Sequence, residues 1–273
     1  MRRSVTADVN HDGGYKMLVP YIGITDFMNS EQVQAMLRVF ERHRRSGSQR
    51  KLHVGVMMSH KTLHDIPSRW QNAFPPKWMI GDIFYSNRTY NCLHYADYDD
   101  NPGLQNSIPS ALMYGGVGTN ALQLDMVWPN PDKIANGVYA WGDRKIEVIL
   151  QVGRKALDVV QNDPKLFVDK LREYDGVIHR ILLDKSGGQG RGMDAVGLLP
   201  FARAIRDNFP ELGLVVAGGL GPETMHLVEP IVKEFPDVSI DAQGRLRPSG
   251  NALDPIDWDL AEVYLAKALQ LLG

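Results

Sequence analysis

Eight short apolar runs recur along this 273-residue sequence, and several are followed by segments with the three-to-four-residue apolar spacing of a helix. The runs are 18–24 (LVPYIGI), 52–58 (LHVGVMM), 92–96 (CLHYA), 121–128 (ALQLDMVW), 146–152 (IEVILQV), 176–184 (GVIHRILLD), 212–217 (LGLVVA) and 238–242 (VSIDA). Helical patterns fall at 30–41, 163–173, within 193–209, at 222–235 and at 257–272. Ser30 and Asp163 suit helix caps, and Pro164 suits a first helical turn. Strands alternating with helices pair in parallel through right-handed crossovers. Eight such units in this length predict one α/β domain, a closed (β/α)8 TIM barrel over 16–273, behind a tail at 1–15. The stretch 61–120 is rich in aromatics and Pro and poorly periodic. It is expected to be an enlarged loop region near the active face, a lid or an interface.

Composition narrows the function classes. Thirty basic and 32 acidic residues give a net charge of −2, so no bulk field draws nucleic acid or an anionic membrane. The basic run from Arg42 to Lys51 reads as a solvated helix end. No apolar run approaches the roughly 18 residues of a membrane span. The opening MRRSVTADVN lacks the apolar core of a secretory signal, so a cytoplasmic location is expected. Cys92 is the sole cysteine and can form neither an internal disulfide nor a multi-cysteine zinc site. The sequence is compatible with a homo-oligomer.

In a (β/α)8 barrel the active site forms where the C-terminal ends of the strands converge. Three glycine-bearing segments follow the last three predicted strands: 184–192 (DKSGGQGRG), 217–223 (AGGLGPE) and 243–247 (QGRLR). Glycine lets backbone N–H groups approach an anion without Cβ obstruction, and Lys185 and Arg191 add positive charge. Pro222 is read as the opening of a helix whose N-terminus faces the same anion. Gly188, Gly190, Gly218, Gly219, Gln243, Gly244 and Arg245 are therefore the expected phosphate-binding residues, and a small phosphorylated metabolite the expected partner.

These segments resemble phosphoribosylanthranilate isomerase. Gly23-Ile24-Thr25, Leu122-Gln123-Leu124-Asp125, the block 181–191 and the block 216–223 (VAGGLGPE) resemble its first, fourth, sixth and seventh strand signatures in order. Asp241, Gly244 and Asp254-Pro255 are similar to its eighth-strand loop and final turn. The resemblance implies an isomerisation of a phosphoribosyl compound, with an acid that opens the sugar ring and a base that removes the C2 proton. Asp184 stands at the family's acid position. Where the family's base is a Cys, this chain has Ile22, which is expected to face the barrel mouth. Pro20 replaces the nearby Lys, and 59–64 (SHKTLH) lacks the second-strand Arg.

A substitute base must then come from another strand end. Asp125 and His60 are the best placed, with Asp26 a third option, so the expected catalytic set is Asp184, Asp125 and His60. The expected activity is isomerisation or a related proton transfer, and not on phosphoribosylanthranilate itself. Two alternatives stand beside it. One is a binding protein for phosphoribosyl ligands that has lost its base. The other is an enzyme like ribulose-phosphate 3-epimerase, whose second-strand metal segment resembles 53–60 (HVGVMMSH). That family's metal-binding carboxylates are replaced by Gly55 and Ala217, so neither a metal nor another cofactor is expected.

Overall fold

The computed structural model describes residues 18–71, 73–99, 101–142, 144–186 and 192–273. Its elements run β1 (Tyr21–Thr25), α1 (Ser30–His43), β2 (Lys51–Ser59), α2 (His60–Leu63), α3 (Ile80–Ile83), β3 (Tyr90–Ala96), α4 (Leu104–Gly115), β4 (Ala121–Asp125), α5 (Pro131–Ala140) and β5 (Glu147–Gly153). Then follow α6 (Arg154–Val159), α7 (Pro164–Leu171), β6 (Arg180–Asp184), α8 (Ala195–Asn208), β7 (Gly213–Ala217), α9 (Glu229–Glu234), β8 (Ser239–Ala242) and α10 (Trp258–Leu272). All eight strands pair in parallel in chain order, and β8 returns to β1 to close the barrel. The architecture is a single (β/α)8 TIM barrel. Among the described residues, no helix is long and apolar enough to cross a membrane.

Local chemistry explains the helix starts. Asn29 caps α1 in a reciprocal box with Gln32, so the cap lies one residue before Ser30. Asp163 caps α7 with Pro164 just inside it, and Asp257 caps α10. The patterned helix at 222–235 is broken: a 3-10 turn at Met225–Val228 precedes a six-residue α9. Pro222 therefore opens no α-helix, and Pro230 near the start of α9 suits its first turn instead.

The region 61–120 is mostly wall, not lid. The segment between β2 and β3 carries α2 and α3, and Ile80, Ile83 and Phe84 are buried. Asn91 on β3 donates to the Phe84, Ser86 and Gly118 carbonyls, tying this segment to the lower barrel. Apolar side chains thus do here what a crossover helix does elsewhere. The rest of the region is β3 and the ordinary crossover helix α4.

Two packed layers separate the two strand faces. Ile22, Ile24, Leu52, Val54, Leu93, Leu122, Leu150, Ile181 and Ile240 pack outward against the helices. Tyr21, Tyr90, Cys92, Ala121, Ile149, Leu182 and Val215 fill the barrel interior. Strand alternation fixes this parity. The expectation that Ile22 faces the mouth is therefore corrected: β1 turns Tyr21, Gly23 and Thr25 inward. A Cβ on Gly23 would lie 2.6 Å from Asp241 Oδ1 and 2.9 Å from His53 Nδ1, which marks its side as interior.

Candidate active site

Parity carries Asp125 and Asp184 inward at the C-terminal ends of β4 and β6, on the mouth side of Gln123 and Leu182. Below them Gln123 donates to Gln151 Oε1 at 2.7 Å and forms part of a polar floor. Asp125 accepts a hydrogen bond from the Tyr98 hydroxyl, which comes from the loop after β3. Lys155, on α6, lies over the Tyr98 ring at 5.8 Å. Burial pushes the Asp125 carboxyl up to about 6. The Tyr98 hydrogen bond opposes the rise, the Asp184 charge adds to it, and Lys155 opposes it. The Asp184 charge thus reaches Asp125 across the mouth.

Asp184 is seated by its neighbours. Its Oδ1 accepts from the Ser186 N–H at 2.9 Å and from the Ser186 hydroxyl at 2.7 Å. It rests against Gly218, whose φ of +95° lies in the left-handed region. A Cβ there would collide with Asp184 Oδ1 and come within 2.9 Å of Ser186. Gly218→Ala should cost about 1–3 kcal/mol through backbone strain alone and displace Asp184 as well. A urea unfolding midpoint equal to wild type would contradict this.

The loops after β7 and β8 lie side by side. Gly219 also has positive φ, at +73°. A Cβ on Gly221 would come within 2.8 Å of Arg245 Cβ, whereas one on Gly244 meets no atom within 4 Å. Gln243 turns its amide to Asp26, donating to Oδ2 at 2.9 Å. Gly188, Gly190 and Arg191 lie outside the described residues. Lys185 turns away from the mouth, with Nζ 3.6 Å from Asp194 at the cap of α8. With no α-helix starting at Pro222, any anion here is left to loop amides and side chains.

The other candidates have different surroundings. His60 Nδ1 is 3.2 Å from the Tyr95 hydroxyl and 3.8 Å from Asp97, and its ring lies beside His64. Tyr95 belongs to the outward layer, so His60 is grouped with the β2 and β3 loops and not with Asp184. Asp26 is buried in an ion pair with Arg247, which also donates to the Gln243 and Asp254 carbonyls. That cluster fastens the β1 loop to the β8 loop.

Sequence reasoning missed Tyr98, Lys155, Asp241 and Thr25. Asp241 lies deeper in the barrel, and Thr25 donates to its Oδ2 at 2.9 Å. Burial raises the Asp241 carboxyl to about 7. Bonds from Thr25 and the Ala242 backbone oppose this, and the Asp26 and Asp184 charges add to it. A single Asp at or next to the end of an apolar run was the available signal: Asp125, Asp184 and Asp241 all have inward parity.

No family profile and no curated protein matches the chain. Among solved structures it is similar to "Crystal Structure of Phosphonopyruvate Hydrolase", with a TM-score of 0.51 and 15% identity, covering 82% of this chain and 75% of that one. At that identity the likeness is one of fold. It supports the barrel, and it does not single out phosphoribosylanthranilate isomerase among barrel families.

Proposed function

We propose that the chain is an enzyme that moves a proton on a small phosphorylated sugar or phosphoribosyl compound held in the barrel mouth. Asp125 takes up and returns the proton, and the charge of Asp184 across the mouth makes it a stronger base. The observation that carries this reading is the electrostatic coupling of two inward carboxylates at one strand-end face, with Asp125 raised to about 6. A like charge beside a carboxylate favours its protonated form, so Asp184 strengthens Asp125 as a base. A base with a raised pKa is also stronger than an ordinary carboxylate yet ionised at neutral pH. Tyr98 orients Asp125, and Ser186 orients Asp184. The phosphate is assigned to Gly218, Gly219, Gly244 and Arg245, with Gln243 at the rim and Gly188 and Gly190 from the sixth-strand loop. The sequence blocks 181–191 and 216–223 support the isomerase-like chemistry. The base lies on β4 and not β1, so turnover of phosphoribosylanthranilate itself is not expected.

Calorimetry with ribose 5-phosphate and with ribose tests the anion site. Charge-assisted hydrogen bonds to phosphate are the strong ones, so ribose should bind at least about tenfold more weakly. Equal affinities would remove phosphate from the proposal. Incubation with aldose phosphates in D2O tests the chemistry: deuterium should enter next to the carbonyl carbon, as read by proton NMR.

A further inference from the structure

His53 on β2 and Cys92 and His94 on β3 form a buried group whose ligand-type atoms all lie within 4.8 Å of one another. His53 is fully buried, yet among the described residues neither of its ring nitrogens has a hydrogen-bond partner. Asp241 Oδ1 is likewise buried with no partner among the described residues. It lies next to His53 but outside that 4.8 Å group, since a Cβ on Gly23 would touch both Asp241 Oδ1 and His53 Nδ1. Buried polar atoms left unpaired are costly and rare, and these adjoin one cluster of metal-ligand side chains.

We propose that His53, Cys92, His94 and Asp241 bind one divalent transition-metal ion of zinc's class inside the barrel. Two imidazoles, a thiolate and a carboxylate form a borderline-soft donor set, suited to zinc and unsuited to magnesium or calcium. Bonds of about 2.0–2.3 Å place tetrahedral donors about 3.4 Å apart, so binding requires His53, Cys92 and His94 to close by roughly an ångström and Asp241 to move further in. Thr25 holds Asp241 Oδ2 and leaves Oδ1 for the ion, as an outer partner should. On binding, Cys92 releases its thiol proton and the imidazoles bind as neutral ligands. Four protein donors leave no open position, so the ion cross-links β2, β3 and β8 beneath the mouth and takes no part in the proton transfer proposed above. The expectation of no metal rested on Gly55 and Ala217; the carboxylate comes instead from Asp241.

The full chain, produced in cobalt-supplemented medium or refolded with cobalt(II), tests this directly. Cys92 is the only cysteine, so a thiolate-to-cobalt charge-transfer band can arise from that residue alone. The band should saturate at one equivalent per chain and vanish in Cys92→Ser. Affinity should fall at least tenfold in His53→Ala and in His94→Ala. Zinc should displace the cobalt and raise the melting temperature, and magnesium should do neither. X-ray absorption on the zinc-loaded wild type should show one sulfur among nitrogen and oxygen donors, whether or not the variants fold. A wild-type protein with no charge-transfer band, or a metal shell without sulfur, would overturn the proposal.

Discussion

Asp125→Asn should lower the rate of deuterium entry into an aldose phosphate by about 10²–10⁴-fold, the contribution of a positioned general base. Asn keeps the shape and can still meet the Tyr98 hydroxyl, so the fold should survive. In the wild type the base must be ionised to act. With Asp125 raised to about 6, the rate should climb as pH rises through about 6 and level off above it. Asp184→Asn should cause a smaller loss, because Asp125 remains but is a weaker base. Its residual activity should have its rising limb at lower pH, since the charge that opposes ionisation of Asp125 has been removed. Unchanged exchange rates in both variants would place the chemistry elsewhere.

Arg180→Ala should destabilise the barrel by up to about 3 kcal/mol: the Arg is buried, but Glu147 is 28% exposed, so the loss falls short of that for a fully buried ion pair. Arg180 plugs the N-terminal end of the barrel. Its Nε is 2.7 Å from Glu147 Oε2, and it donates to the Val19 carbonyl at 2.9 Å. The guanidinium lies over the Tyr21 and Tyr90 rings at 5.4 and 5.1 Å, and Tyr90 also donates to Glu147. Gly213 makes the room, since a Cβ there would come within 2.9 Å of Arg180 Cγ. Urea unfolding checks the magnitude. The double change Arg180→Met with Glu147→Gln should cost less than Arg180→Ala, because no unpaired charge remains. A double variant weaker than the single one would show that packing and not charge holds the plug.

The eight strands were legible because a parallel barrel buries both faces of each strand, which therefore reads as a continuous apolar run. The same continuity hid the parity. In 18–24 nothing alternates, so Ile22 could be taken as an inward residue when Tyr21 and Gly23 are. A shift of one residue exchanges the two faces of a strand. Helix α4 escaped notice because Pro109 and the glycines at its end interrupt the pattern. Helix α5 carried a usable signal in Asn130-Pro131, a cap followed by a first-turn Pro. Asp125 and Asp184 were found from their strand ends. Tyr98 and Lys155 were not, since they reach Asp125 across separate loops. Asp241 was read only as a loop signature, because its inward burial depends on the closure of β8 onto β1.

The pairing of Asp125 with Asp184 is most directly tested by carbon NMR of the side-chain carboxyls across a pH titration. Asp125 should titrate near 6 in the wild type. In Asp184→Asn its midpoint should move down, while burial keeps it above the ordinary carboxylate range. A midpoint near 4 in the wild type, or one near 6 that does not move when Asp184 is neutralised, would contradict the pairing.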